Sequence, residues 1–288
     1  MSVRAIVVHW EQPRRCRSTV EALQIQAAEL DIVVVDNASS PAARSEVEAI
    51  EGVRLLDAGR NAGFGGGANV GLRDWLADAS AGEWALVVPH DAEPADDCLA
   101  VMLEAVASVP EAGLVSAEYA EAVLPRIHPY LGGLWSPCER GEGWQPADYA
   151  HGTFLLLRRG CLEQVGLFDE AYFAYCEEAD LALRARAAGW QAGIVWGAVV
   201  HNPHQGNPPP LVDYLMVRNT LRLVRTHYGL GHATIRLLWE AVSLPWHVVW
   251  PGSQRSPWFS GRARVLAMRD AVLGRSGPPP ASLQRLVP

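Results

Sequence analysis

The segment Ala5–Ser40, AIVVHWEQPRRCRSTVEALQIQAAELDIVVVDNASS, decides how the chain folds. Two short β-branched runs, Ala5–Val8 and Ile32–Val35, flank a stretch near Cys16–Ala28 with helical spacing. The pattern continues outward. Strands are predicted at Val53–Leu56 and Ala85–Val88, and helices near Gly67–Ala77 and Ala95–Val106. Strands alternating with helices build βαβ units, so an α/β fold with a mostly parallel sheet is expected. Ligands of such sheets bind beyond the carboxyl ends of the strands. Four segments lie there: HWEQP (His9–Pro13), DNASSP (Asp36–Pro41), GRNAGFGGGAN (Gly59–Asn69) and HDAEP (His90–Pro94).

Composition narrows the function. The chain has 288 residues, 49% apolar and 19% charged, which suits one large α/β domain or two smaller ones. With 24 basic against 32 acidic side chains and no basic stripe, a nucleic-acid partner is not expected. The five cysteines are scattered without a C-x-x-C pair, which argues against a zinc knuckle or disulfide framework and fits a reducing cytosol. The N-terminus runs straight into a strand, unlike a signal peptide. No apolar run reaches the roughly 20 residues of a membrane span. The nearest, Ile235–Trp250, is interrupted by Arg236, Glu240, Pro245 and His247.

Each strand-end segment has a plain and a chemical reading. Asp36 and Asn37 either form a turn or helix cap, or offer Asp36 to a nucleobase or ribose. Gly63-x-Gly65-x-x-Ala68 fits a dinucleotide fingerprint, but it follows the third strand, and the first turn has no glycine. The segment reads better as backbone coming close to a ligand, with Asn61 and Asn69 supplying directional hydrogen bonds. Asp91-x-Glu93 could turn two carboxylates toward one hard cation, Mg²⁺ or Mn²⁺. Equally, Pro94, Asp96 and Asp97 suit the start of a helix. From about Leu124 the pattern loosens into loops. A strand at Thr153–Leu157 and a helix led by Glu177, Glu178 and Asp180 follow. On a helical wheel Glu178 heads the apolar face with Leu181, Ala182 and Ala185, while Glu177, Asp180 and Arg184 share another side. These acids either serve the helix dipole, or Glu178 takes a proton from a substrate hydroxyl at a cavity rim. His201 and His204 close another apolar run, and His201 becomes a ligand only if it meets the Asp91 cation in space.

Five ordered segments resemble a family 2 glycosyltransferase of the bacterial rhamnosyltransferase-like group. They are VVVDNASS, RNAGFGGGANVGL, VVPHDAEP, VGLFDEAYFAYCEEADLALRARAAGW and VVHNPHQG, to which YLMVRNTLRLVRTHYG adds an Arg218–Asn219 pair. The resemblance spans about Val3 to Tyr228. It implies a GT-A fold at about 1–210, with a nucleotide-sugar half to about 115 and an acceptor half beyond. A helical extension with a Pro-rich tail would occupy 211–288. It further implies an inverting, metal-dependent transfer from a UDP- or dTDP-sugar to a hydroxyl. Asp36, Asn37, Asn61, Gly65, Asn69, His90 and Asp91 would then line the nucleotide sugar. Asp91, Glu93 and His201 would hold Mg²⁺ or Mn²⁺, and Glu178 would be the base. Glu177, Asp180, Arg184 and Arg218 would support the acceptor side or its structure.

The sequence departs from the family pattern at three points. An asparagine is missing near Glu11, His90 precedes Asp91 where Asn or Pro is usual, and Glu178 stands for Asp. Two other classes stay open: a GT-A domain that binds nucleotide sugar or a partner without catalysis, and a nicotinamide-dependent oxidoreductase. Trp239, Trp246, Trp250 and Trp258, near Arg262, Arg264 and Arg269, suit a membrane interface and a lipid-linked acceptor. They equally suit a homodimer surface or an acceptor lid.

Overall fold

The computed structural model describes residues 2–26, 28–119, 122–202, 207–250 and 256–284. In chain order the first half contains β1 (Val3–His9), α1 (Pro13–Gln24), β2 (Leu30–Asp36), α2 (Pro41–Glu48), β3 (Arg54–Asp57), α3 (Gly63–Ala77), β4 (Trp84–Pro89), β5 (Glu93–Pro94) and α4 (Cys98–Val106). The middle holds β6 (Ala112–Tyr119), β7 (Val123–His128), β8 (Gly132–Pro137), β9 (Gly143–Ala147), β10 (Leu155–Arg158), α5 (Arg159–Val165), α6 (Glu177–Ala187) and β11 (Gln191–His201). Helices α7 (Pro209–Tyr228), α8 (Leu230–Val249), α9 (Gly261–Val272) and α10 (Ala281–Gln284) finish it.

One sheet runs in the order β3-β2-β1-β4-β10-β6-β11-β5, with β9 also on β11. The β3-β2-β1-β4 part is parallel, and β10 is antiparallel to both its neighbours, which makes the whole sheet mixed. All seven residues of β1 are buried because the sheet is covered on both faces. Val3, Ala5 and Val7 pack with Cys16, Val20 and Met102 of α1 and α4. Ile6 and Val8 pack on the other side with Ala68, Leu72 and Trp75 of α3.

Three local expectations are corrected. The region 123–147 is not loop: β7 and β8 form a hairpin and β9 joins the main sheet, where glycine and proline had obscured the alternation. Helix α2, unanticipated, follows from Ser40, whose side chain accepts the Ala43 N–H, and from Pro41 in the first turn. Glu93 and Pro94 do not open a helix. They pair antiparallel with His201 and Val200, and α4 starts only at Cys98, with no acid in its first turn.

Candidate active site

The carboxyl ends of β1, β2 and β4 lie side by side, and their polar residues meet there. Nδ1 of His9 lies 3.2 Å from Asp36 Oδ1, and both side chains are fully buried. Burial lowers the His9 pKa, helped by the charge of His90 and opposed by Asp36. His90 Nδ1 lies 3.1 Å from the Val8 carbonyl, which can only accept, so that nitrogen carries the proton. Burial lowers the His90 pKa as well, and the two rings meet edge-on at 5.7 Å. Among the described residues three buried polar atoms here have no hydrogen-bond partner: His9 Nε2, His90 Nε2 and Asp36 Oδ2. The Arg44 guanidinium approaches Asp36 Oδ2 only to 3.8 Å.

The glycine segment plays a different part from the one expected. It is the opening of α3 rather than a loop, and it packs on the protein itself. A side chain at Gly63 (φ +77°) would collide with the Phe173 carbonyl, and a Cβ at Gly65 would sit 3.2 Å from Phe168 and 3.4 Å from Glu177. The missing side chain at Gly65 therefore makes room for Phe168 and α6. Asn37 and Asn69, both expected at the nucleotide, are buried clamps. Asn37 donates to the Gly63 carbonyl at 2.9 Å and accepts from the Ala62 N–H at 3.0 Å. Asn69 exchanges hydrogen bonds with the Phe168 carbonyl and N–H at 2.9 and 3.1 Å. Asn61 accepts from the Gly63 N–H at 3.0 Å and stays half-buried at the helix mouth.

Asp91 follows β4, and its Oδ1 accepts from Asn202 at 3.1 Å. Asn202 follows His201, and His201 is the cross-strand partner of Glu93. Asp91, Glu93 and His201 thus reach one corner of the sheet, but they are not a preformed cage. Among the described residues no three His, Cys, Asp or Glu side chains converge to hold a metal. Glu93 and His201 are exposed on the short strand pair. One half-buried carboxylate with an imidazole and a second carboxylate close by fits an ion that takes part of its shell from phosphate oxygens. His204 lies outside the described residues.

The segment before α6 is strained. Phe173, Tyr175 and Cys176 have φ of 71°, 69° and 73°, a region that non-glycine residues occupy at about 1–3 kcal/mol each. Helix α7 holds them. The Asn219 amide donates to the carbonyls of Tyr172, Ala174 and Tyr175 at 2.8–2.9 Å, and Arg218 donates to the Tyr172 and Gly277 carbonyls. Arg218 is therefore buried support for this segment. Asn219→Ala is expected to remove this donor from the Ala174 and Tyr175 carbonyls, while Arg218 still serves Tyr172, and to lower stability by about 3 kcal/mol, read from the denaturant midpoint.

The three acids at the start of α6 have different environments. Asp180 is locked by Arg184 and His227, each at 2.8 Å, and its pKa falls although burial alone would raise it. The expected Asp180–Arg184 bridge is present. Glu177, which the wheel had turned away from the core, is 3% exposed and has Oε2 without a partner. The wheel assumed one covered face, whereas α6 packs on both β11 and α7. Burial, and then the charge of Glu178, push the Glu177 pKa well up. Glu178 is half-buried, and burial raises it to about 7.

Tyr175 ties the two halves together. Burial lifts its hydroxyl to about 12, against the hydrogen bond from Asn207, and the charges of Glu177, Asp91 and Glu178 all add to the rise. Asp91 and the acids of α6 thus all lie within electrostatic reach of one hydroxyl. The sequence does not single out Tyr175 or Asn202, and Asn219 stands out in it only as half of the Arg218–Asn219 pair. The quoted motifs contain all three, but their roles depend on partners 32, 111 and about 45 positions away.

A mixed sheet with polar strand ends, an acidic corner after β4 and an acid-led helix packed on β11 is the arrangement of a GT-A glycosyltransferase. The comparisons agree. The model of glycosyl transferase family 2 matches residues 5–166, more than half of the chain, and the chain belongs to that family. It is 28% identical over 218 residues to the N-acetylglucosaminyl-diphospho-decaprenol L-rhamnosyltransferase of Mycobacterium tuberculosis, covering 63% of this chain and 69% of that one. It is 27% identical over 165 residues to the low-salt glycan biosynthesis hexosyltransferase Agl10 of Haloferax volcanii, covering 54% and 53%. Among solved structures, the mannosyltransferase PcManGT of Pyrobaculum calidifontis, in complex with GDP-Man and Mn²⁺, superposes with a TM-score of 0.60 at 16% identity, over 94% of this chain and 86% of that one. GalNAc-T7 with UDP, GalNAc and Mn²⁺ gives 0.63 at 14% identity, over 94% and 55%. These structures establish the shared fold. The oxidoreductase alternative is set aside by the family match.

Proposed function

We propose that this glycosyltransferase moves a sugar from a UDP- or dTDP-sugar, with inversion, to a hydroxyl of a lipid-linked acceptor. The observation that carries the reading is that the charges of Asp91, after β4, and Glu178, at the start of α6, both act on the Tyr175 hydroxyl. Glu178 is the base: it receives the acceptor proton as the acceptor oxygen bonds to the anomeric carbon and the bond to the diphosphate breaks. A carboxylate near pKa 7 is well matched to that task at neutral pH. Asp91, with Glu93 and His201 at the same corner, would hold Mg²⁺ or Mn²⁺. That ion supplies charge neutralisation for the departing diphosphate. Uracil and thymine each carry an imide N–H, for which Asp36, with Oδ2 lacking a donor among the described residues, would be the acceptor. The lipid-linked acceptor is supported by the name of the mycobacterial relative.

The test is a panel of nucleotide sugars in thermal-shift and transfer assays, with and without Mn²⁺. A UDP- or dTDP-sugar should raise the melting temperature more with Mn²⁺ than without, and should be consumed when acceptor is added. Binding without turnover across the panel would favour the alternative of a GT-A domain that has lost catalysis.

A further inference from the structure

Helix α8 has its polarity inside out. Its two charged residues, Arg236 and Glu240, face the protein: they pair with each other at 2.5 Å, and Glu240 also binds Arg264 at 3.1 Å. Its outer face is apolar. Ile235, Trp239, Val242, Trp246 and Val249 recur at steps of four and three, one face of a helix, and each is more than half exposed. Trp250 extends the face by stacking on Trp246 at 5.5 Å. Among the described residues no helix is long and apolar enough to cross a membrane.

The extension that carries this face is rich in one sign of charge. Residues 211–288 contain ten arginines and three acids, whereas residues 1–210 contain fourteen arginines and twenty-nine acids. All three acids of the extension, Asp213, Glu240 and Asp270, are buried and bonded to arginines. Its exposed charges are therefore arginines, among them Arg225, Arg262, Arg269 and Arg275. A second copy docked through this face would bring two arginine-rich extensions together. A negatively charged partner is attracted at this end and repelled by the acidic remainder, which fixes its orientation.

We propose that α8 lies in the plane of an anionic lipid surface, its apolar stripe among the acyl chains and the arginines of the extension at the headgroups. A helix with a Trp-bearing apolar face and a positive flank has the composition of an interfacial helix. A groove of about 310 Å³ between β8 and α7–α9 is lined by Trp239, Met216 and Trp258 and opens beside the stripe. Peripheral attachment goes beyond the transfer reaction proposed above and is tested without it.

The full chain should sediment with vesicles containing about 30% phosphatidylglycerol, with a blue shift of tryptophan emission. Affinity should be at least about tenfold weaker for pure phosphatidylcholine, and it should fall in about 0.5 M salt. The double variant Val242→Ser/Trp246→Ser should lose about tenfold or more in partitioning, and Arg225→Glu/Arg262→Glu should lose the preference for anionic lipid. Failure to bind anionic vesicles, or equal binding to neutral ones, would overturn the proposal. So would a wild-type dimer that the Val242/Trp246 variant converts to monomer. If a variant misfolds by circular dichroism, the lipid and salt dependence of the unaltered protein decides.

Discussion

Glu178→Gln is expected to lower kcat by about 10²–10⁴-fold while leaving nucleotide affinity in place, because it removes a proton acceptor and keeps the shape of the side chain. The base must be ionised to work. Burial raises Glu178 to about 7, so kcat/KM should rise with pH through that region and level off above it, and the variant should lose this limb. Stability runs the other way. The raised carboxyl means that the folded chain binds more protons than the unfolded chain between pH 4.5 and about 7. Its stabilising contribution is present below 4.5 and is lost as pH climbs to about 7. At pH 8 the glutamine variant should therefore melt no lower than the unaltered protein. An inactive variant of full stability supports the base, and full turnover removes the assignment. Glu177→Gln separates the two acids: relieving the more deeply buried carboxyl should raise stability further and cost less in kcat.

Asp91→Ala is expected to cost transfer about 10³-fold or more, the scale of losing a cation's stabilisation of the leaving diphosphate. Its effect on folding should be small, since Asp91 is half-buried and its hydrogen bond is to Asn202 alone among the described residues. Calorimetric titration of UDP separates this role from general damage. Mn²⁺ should tighten UDP binding to the unaltered protein and leave the variant unaffected. A variant that still binds UDP more tightly with Mn²⁺ would place the ion elsewhere.

Much of the architecture was legible because its signals are local. Ala5–Val8 and Ile32–Val35 are continuous β-branched runs around a helix, and they do form adjacent parallel strands in register His9 to Asp36. The hairpin of β7 and β8 was hidden, because Pro125, Gly132 and Gly133 interrupt the alternation that identifies a strand. The acids of α6 show the limit of a helical wheel. The wheel assigns one buried face, yet Glu177 and Asp180 are buried too, because α7 covers the side that an isolated helix would leave in water.

Local sequence pattern specifies the alternation of strands and helices, the residues at the strand ends, and the ordered motifs of a family 2 glycosyltransferase. These depend on neighbours a few positions apart, or on the chain order alone. The tertiary structure alone decided which polar side chains are free to act. Asn37, Asn69 and Arg218 are spent on carbonyls of distant segments, whereas Glu178 keeps a half-buried carboxyl raised to about 7. Burial and hydrogen bonding are set by contacts tens of residues apart, and no local pattern encodes them.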